Sequence, residues 1–374
     1  MTESESTLID QIRALTRRIG RRVQYMEVCG THTVCLFRSG VRSLLPPELR
    51  MISGPGCPVC VTAQRHIDAA LELATDRRVI IATYGDMLRV PGRRGSLESM
   101  RAAGARVEVV MSARDALALA RSHPAEEVVF LAVGFETTAP ATAAVVAEAD
   151  RDAVGNFSVL MCHKRIVPAM LALLGDGRSA LDGFLCPGHV SVIIGSSAYR
   201  PVVARHRVPC VVAGFEPRQL LLGIRRLLQQ TASGLARLDN VYPVCVSPAG
   251  NGAALKLMRE VFRHEDAAWR ALGVIGASGF ALSERYASFD AVRRFGIVLG
   301  CDEDHPGCLC GEVIQGLAEP GDCPLFDRAC TPMRPVGPCM VSSEGTCAAW
   351  HRYRRTPPRP GRGGRRRKEP SCPW

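Results

Sequence analysis

No uninterrupted apolar run in this chain approaches the roughly 20 residues that a helix needs to cross a bilayer. The opening Met-Thr-Glu-Ser-Glu-Ser is acidic, unlike the basic and then apolar stretch of a secretory signal. Both absences point to a cytoplasmic protein without a membrane partner. Aromatic residues make up only 5% of the chain, and its basic stretches do not interleave with them. That argues against a base-stacking surface, and a nucleic-acid partner is not expected. Also missing is a second Cys-x2-Cys pair at zinc-ribbon distance from Cys57 and Cys60.

What is present is a chain of 374 residues, 47% hydrophobic, long enough for two or three domains with buried cores. Its formal charge of +11 is concentrated at one end: nine Arg or Lys less one Glu give +8 over 352–374, leaving +3 elsewhere. The Pro, Gly and Arg content of 352–374 predicts a disordered, solvated tail, with a docking arm as the other reading. Sixteen cysteines in a reducing compartment require metal ligation or redox chemistry as their reason.

Leu8, Ile9, Ile12, Leu15 and Ile19 recur at helical spacing and predict a surface helix over 6–19. Apolar runs over 23–28, 78–82, 107–110, 128–133, 157–161 and 208–213 read as strands. Amphipathic helical stretches at 62–73, 113–120, 139–148, 165–174 and 217–228 lie between them. This alternation predicts an α/β architecture with parallel sheets covered on both faces. The segment from Leu131 to Glu136, ending Gly134-Phe135-Glu136, recurs 80 residues later as Val211 to Glu216. The echo suggests two related α/β domains that each end a strand in Gly-Phe-Glu, at the edge where open sheets place ligands. Chance likeness of two strand ends is the other explanation. After about Cys301 the texture changes, with Cys, Pro and Gly crowded together as in a module organised by metal. The expected division is 1–125 and 126–245 for the two α/β domains, 246–351 for a cysteine-rich C-terminal region, and 352–374 for the tail.

Cys323, Cys330, Cys339 and Cys347 form the set Cys-x6-Cys-x8-Cys-x7-Cys, with Pro324, Pro332, Gly337 and Pro338 among them. Four thiolates suit an iron–sulfur cubane, and Pro and Gly shape irregular loops around one. Spacing alone leaves zinc and unrelated thiols open as well, and Cys308 and Cys310 stand close enough to compete as ligands or to form a redox pair. Cys29, followed by Gly30, Thr31, His32 and Thr33, ends a strand and can bind a metal or act as a nucleophile. Cys57-Pro-Val-Cys60 opens a helix, whose dipole favours a thiolate, as in thiol–disulfide proteins. Glu136, Thr137, Thr138, His189 and Glu216 are polar groups at strand ends. Helix capping explains the Thr pair, and a bound anion or partner is the rival.

Taken together, these motifs resemble one family, the hydrogenase maturation factor HypD. The matching strings are Cys29-Gly-Thr-His-Thr33, Gly54-Pro-Gly-Cys-Pro-Val-Cys60, Gly134-Phe-Glu-Thr-Thr-Ala-Pro140, Pro187-Gly-His-Val-Ser191, Ala213-Gly-Phe-Glu-Pro217, Cys310-Gly-Glu312, Asp322-Cys-Pro-Leu-Phe326 and Val341-Ser-Ser-Glu-Gly345. They run in order from about residue 20 to 353. The resemblance implies two related α/β domains plus a cysteine-rich iron–sulfur domain. It also implies a scaffold with a redox role, and not a conventional turnover enzyme, on which the Fe(CN)2CO centre of [NiFe]-hydrogenases is assembled. Its implied partners are the chaperone HypC and the cyanide donor HypE, which acts after HypF has prepared the carbamoyl precursor. Cys29 would hold the iron with His32 assisting. Cys57 and Cys60 would be a redox pair beside the iron and could also ligate it. The other implied cofactor is a [4Fe-4S] cluster on Cys323, Cys330, Cys339 and Cys347, exchanging electrons with that pair. Glu136, Thr137, Thr138, His189 and Glu216 would contact partner or ligand. Cys35, Cys162 and the tail with Cys372 match no role, and the first two are expected to be buried thiols. Two other classes remain: a cluster-dependent thiol–disulfide oxidoreductase and a zinc-organised interaction protein.

Overall fold

Runs of aliphatic and β-branched residues make nine strands that alternate with helices. They are β1 (Val23–Glu27), β2 (Leu49–Ser53), β3 (Val79–Thr83), β4 (Val107–Val109), β5 (Glu127–Ala132), β6 (Phe157–Met161), β7 (Gly183–Pro187), β8 (Cys210–Ala213) and β9 (Leu238–Asn240). A computed structural model describes residues 3–178, 180–303 and 305–353. Most of the expected basic tail, with Cys372, lies outside the described residues.

The strands form two parallel sheets, ordered β2-β1-β7-β8-β9 and β4-β3-β5-β6. In the second sheet Ile81 pairs with Val129, and Leu131 with Leu160, all fully buried. Side chains on both faces of such strands leave water, each contributing ~1.5–3 kcal/mol, so helices must cover both sides. The α/β architecture with parallel sheets is therefore as expected. The helix Glu5–Ile19 also forms as expected, capped by Ser4, whose hydroxyl accepts from the Thr7 amide, and ended by Gly20 at φ +70°. Its Leu8 and Ile12 pack into a core with Tyr25, Leu36 and Ile224 of the first sheet and its helices.

The chain order of the sheets departs from the expected division. β1 and β2 pair with β7 to β9, so the first sheet takes strands from both sides of the second, and the boundary at 125/126 falls inside the second sheet. Main-chain pairing decides this: β7 is hydrogen-bonded to β1 on one side and β8 on the other. The Gly-Phe-Glu echo survives in another form, because β5 in one sheet and β8 in the other each run into it.

After β9 come a helix, Gly252–Val261, and an antiparallel hairpin of β10 (Phe262–Trp269) and β11 (Gly273–Leu282). The cysteine-rich stretch beyond is a segment without a core of its own. Cys310, Ile314, Cys339, Met340 and Cys347 belong to the same core as Met26, Ile81 and Leu131. Arg89 ties it down by donating to the carbonyls of Pro332 and Val341 at 3.1 and 3.2 Å.

Candidate functional site

Cys29 stands where β1 gives way to the helix Gly30–Arg38, in extended backbone at φ −152°, ψ 125°. The loop after β2 returns to it. Gly54 donates its amide to Glu27 O at 2.8 Å, and the Gly30 amide donates to Gly56 O at 3.2 Å. A Cβ at Gly56 would collide with the Cys29 backbone, so the Gly-Pro-Gly string permits this close approach.

Around Cys29 lies a cleft of about 570 Å³ in which the two sheets and the C-terminal segment meet. Thr31 and Pro58 line it from the first sheet's loops, Thr137 and Thr138 from the end of β5, His189 from the end of β7, and Glu344 from the C-terminal segment. Burial pushes the Cys29 thiol up to about 11, and the charge of Glu344 adds to this. The amides of His32 and Thr31 and the Thr31 hydroxyl oppose the rise. A free Cys29 is thus a protonated thiol at neutral pH. His189 stacks on Phe215 at 3.9 Å, with its pKa lowered by burial.

Other expected site residues lie elsewhere. His32 is fully buried below the cleft, with Nε2 3.1 Å from Gly214 O and its ring on Phe215 at 4.8 Å. Burial lowers its pKa to about 4, so it is a neutral donor that holds Cys29's helix to the end of β8. Glu216 is exposed and caps the helix Pro217–Ser233, reciprocally with Gln219. Glu136 turns away from Cys29 and accepts the Ile166 amide at 3.1 and 3.3 Å. Thr138 occupies the N-cap position of the helix Ala139–Arg151 without capping it; its hydroxyl donates to Phe135 O at 3.3 Å instead. Gly134, at φ +154°, makes room for that hydroxyl, with which a Cβ would clash. Glu344 was not singled out from the sequence; its only signal was its place in the Val341-Ser-Ser-Glu-Gly345 string.

The cysteines divide into groups that spacing did not reveal. Cys57 and Cys60 form a disulfide at the start of the helix Pro58–Val61. Cys60 Sγ lies 3.9 Å from Pro338 O, which brings this pair against the residue preceding Cys339. Cys339 is bonded to Cys310. Cys308 lies within electrostatic reach of Cys323, Cys330 and Cys347. The Cys308 thiol is raised to about 11 and that of Cys347 further still, by burial first and then by the nearby cysteines: Cys323 and Cys330 act on both, and Cys308 acts on Cys347. The Val336 amide donates to Cys330 Sγ at 3.3 Å, a bond that steadies a thiolate. Cys35 and Cys162 are buried. Among the described residues no three His, Cys, Asp or Glu side chains close on one point as ligands of a single ion do.

The chain matches over residues 3–354 the family model described as HypD, Hydrogenase formation hypA family. It belongs to the HypD family. Proteins named hydrogenase maturation factor HypD from Cupriavidus necator and Escherichia coli K12 are each 44% identical to it. The alignments span 346 and 335 residues, 90% and 89% of this chain and 91% and 90% of those relatives. A putative hydrogenase expression/formation protein of Methanocaldococcus jannaschii is 42% identical over 93% of this chain and 96% of its own length. Membership of the HypD family gives the chain a role in hydrogenase maturation. No helix among the described residues is long and apolar enough to cross a membrane.

Proposed function

We propose that this HypD-family chain is the scaffold on which iron, as substrate, receives its cyanide and carbonyl ligands, with Cys29 as its anchor in a complex with a HypC-type chaperone. The observation that carries this reading is the cleft itself, where a buried thiol faces open space between two sheets beside a redox-capable cysteine pair. When ferrous iron binds, the Cys29 S–H bond breaks, an Fe–S bond forms and the proton leaves. Glu344 is the carboxylate that lines the cleft and can accept that proton. Cyanide comes from a HypE-type protein docked at the same mouth.

Four thiols, Cys308, Cys323, Cys330 and Cys347, fit a [4Fe-4S] cluster better than the set containing Cys339. Cys323 and Cys330 act electrostatically on Cys308 and Cys347, while Cys339 is committed to Cys310. A cluster held there would supply electrons one at a time. Two cysteine pairs lie between that site and the Cys29 cleft. Gly337 packs so closely on Cys308 that a Cβ there would stand 2.7 Å from its Sγ, Cys339 is bonded to Cys310, and Cys60 touches Pro338. Each disulfide takes up two electrons and two protons to become a dithiol, and an external one-electron donor of the ferredoxin class supplies the electrons. Reduced Cys57 and Cys60 then keep iron ferrous at Cys29.

Infrared spectroscopy of the complex with the chaperone tests this function. Cyanide and carbonyl stretches are expected with the unaltered chain and lost in Cys29→Ala; bands that persist in that variant would remove Cys29 from the site. The disulfide at a helix start also favours a second reading, a thiol–disulfide oxidoreductase. Sustained thiol turnover without any maturation partner would select it.

A further inference from the structure

Behind the Cys29 cleft lies a second cleft of about 550 Å³. The two share a wall: Thr137, Ile166 and Ile193 face the first, and their chain neighbours Glu136, Arg165 and Ile194 face the second. The floor of the second cleft is apolar. Met258, Phe262 and Phe280 build it, the two phenylalanine rings lying 5.5 Å apart.

The rim carries the guanidiniums of Arg165, Arg259 and Arg263, with His264 kept neutral by burial. Arg165 donates to Ala277 O and has no carboxylate within ion-pair distance among the described residues. The Arg259 side chain makes no hydrogen bond or ion pair among the described residues. Arg263 faces Glu265 at 3.6 Å, an exposed and therefore weak pair. Glu136 is the carboxyl that lines the cleft. Burial pushes it up to about 7, so near neutrality it compensates the arginines only in part.

Guanidiniums lacking counter-charges over a low-dielectric floor attract anions, and their planar forks fit carboxylate or phosphate. The volume lies in the range of small-molecule sites, which are mostly apolar with a few placed polar groups. We infer that this cleft binds a small organic anion, its apolar body on Met258, Phe262 and Phe280 and its phosphate or carboxylate between Arg165 and Arg259. The site includes none of the residues that line the iron cleft and depends on neither iron nor cluster.

Isothermal titration calorimetry on the full chain tests it, with phenyl phosphate, benzoate and inorganic phosphate as probes at low ionic strength. At least one organic probe is expected to bind with a Kd below about 1 mM, and about tenfold tighter than inorganic phosphate because of the apolar floor. The tighter of phenyl phosphate and benzoate assigns the head group. Arg259→Ala and Arg165→Ala are each expected to weaken that binding about tenfold. Arg259 is exposed, so its replacement leaves the fold unchallenged, and thermal unfolding checks both variants. The inference is overturned by absence of binding of both organic probes, by equal affinity for inorganic phosphate, or by unchanged affinity in both variants.

Discussion

Thr31 donates its hydroxyl to Glu344 at 2.6 Å, joining residues 313 positions apart at the edge of the Cys29 cleft. Gly30 reinforces the closure, since a Cβ there would stand 2.7 Å from that of Glu344. The carboxylate raises the Cys29 thiol, as burial does. Glu344→Gln therefore lowers the thiol pKa, by roughly half a unit to one unit. The pH profile of Cys29 alkylation by iodoacetamide, followed by mass spectrometry in the iron-free protein, is expected to move to lower pH; an unmoved profile would contradict the coupling.

Two single substitutions separate the sulfur sets. Cys308→Ala is expected to lose much of the about four irons and four sulfides of an anaerobically purified chain. Cys339→Ala keeps them, because Cys339 pairs with Cys310. Iron and sulfide analysis of both variants decides; the reverse pattern would restore Cys339 to the ligand set.

Gly56→Ala forces a Cβ into the Cys29 backbone. A destabilisation of about 1–3 kcal/mol follows from such overpacking. Gly155→Ala is the control: its Cβ meets nothing within 4 Å, and its denaturation midpoint is expected to stay close to that of the parent. Urea unfolding measures both.

Buried histidines set an acid limit. The pKa of His32 is lowered from 6.5 to about 4 and that of His163 from 6.5 to about 3, in both cases by burial first. Below pH 6.5 the unfolded chain binds protons that the folded chain does not. Stability is therefore complete above pH 6.5 and is lost as pH falls toward 4, by at most about 1.4 kcal/mol per pH unit for each histidine. His163→Gln, which can still bond Thr142 where His163 Nε2 now does at 2.8 Å, is expected to shallow that slope in urea unfolding at pH 7, 6 and 5.

Strands β1, β3, β4, β5, β6 and β8 were legible because each falls in a largely apolar run bounded by turn residues. β2 was not, since Arg50 interrupts it, nor was β7, which begins at Gly183 and ends at Pro187. The β10–β11 hairpin escaped because Arg263, His264, Glu265 and Asp266 break its apolar pattern. Strand order is set by long-range hydrogen bonds, and no local periodicity encodes it. The same limit applies at the site. Cys29, His32, His189 and Glu216 all sit at strand ends, yet only their packing separates cleft-lining groups from a buried brace and a helix cap. Cysteine spacing likewise did not show that Cys310 and Cys339 pair, because the loops that bring them together are irregular.

The interleaving of the sheets governs when the iron cleft can exist during synthesis. Its walls draw on Cys29, on the middle of the chain and on Glu344. At ribosomal speed the last of these follows the first by on the order of half a minute. A nascent chain exposes the Cys29 thiol well before it owns a cleft, so a ligand that needs the finished geometry meets it only after Glu344 has been made.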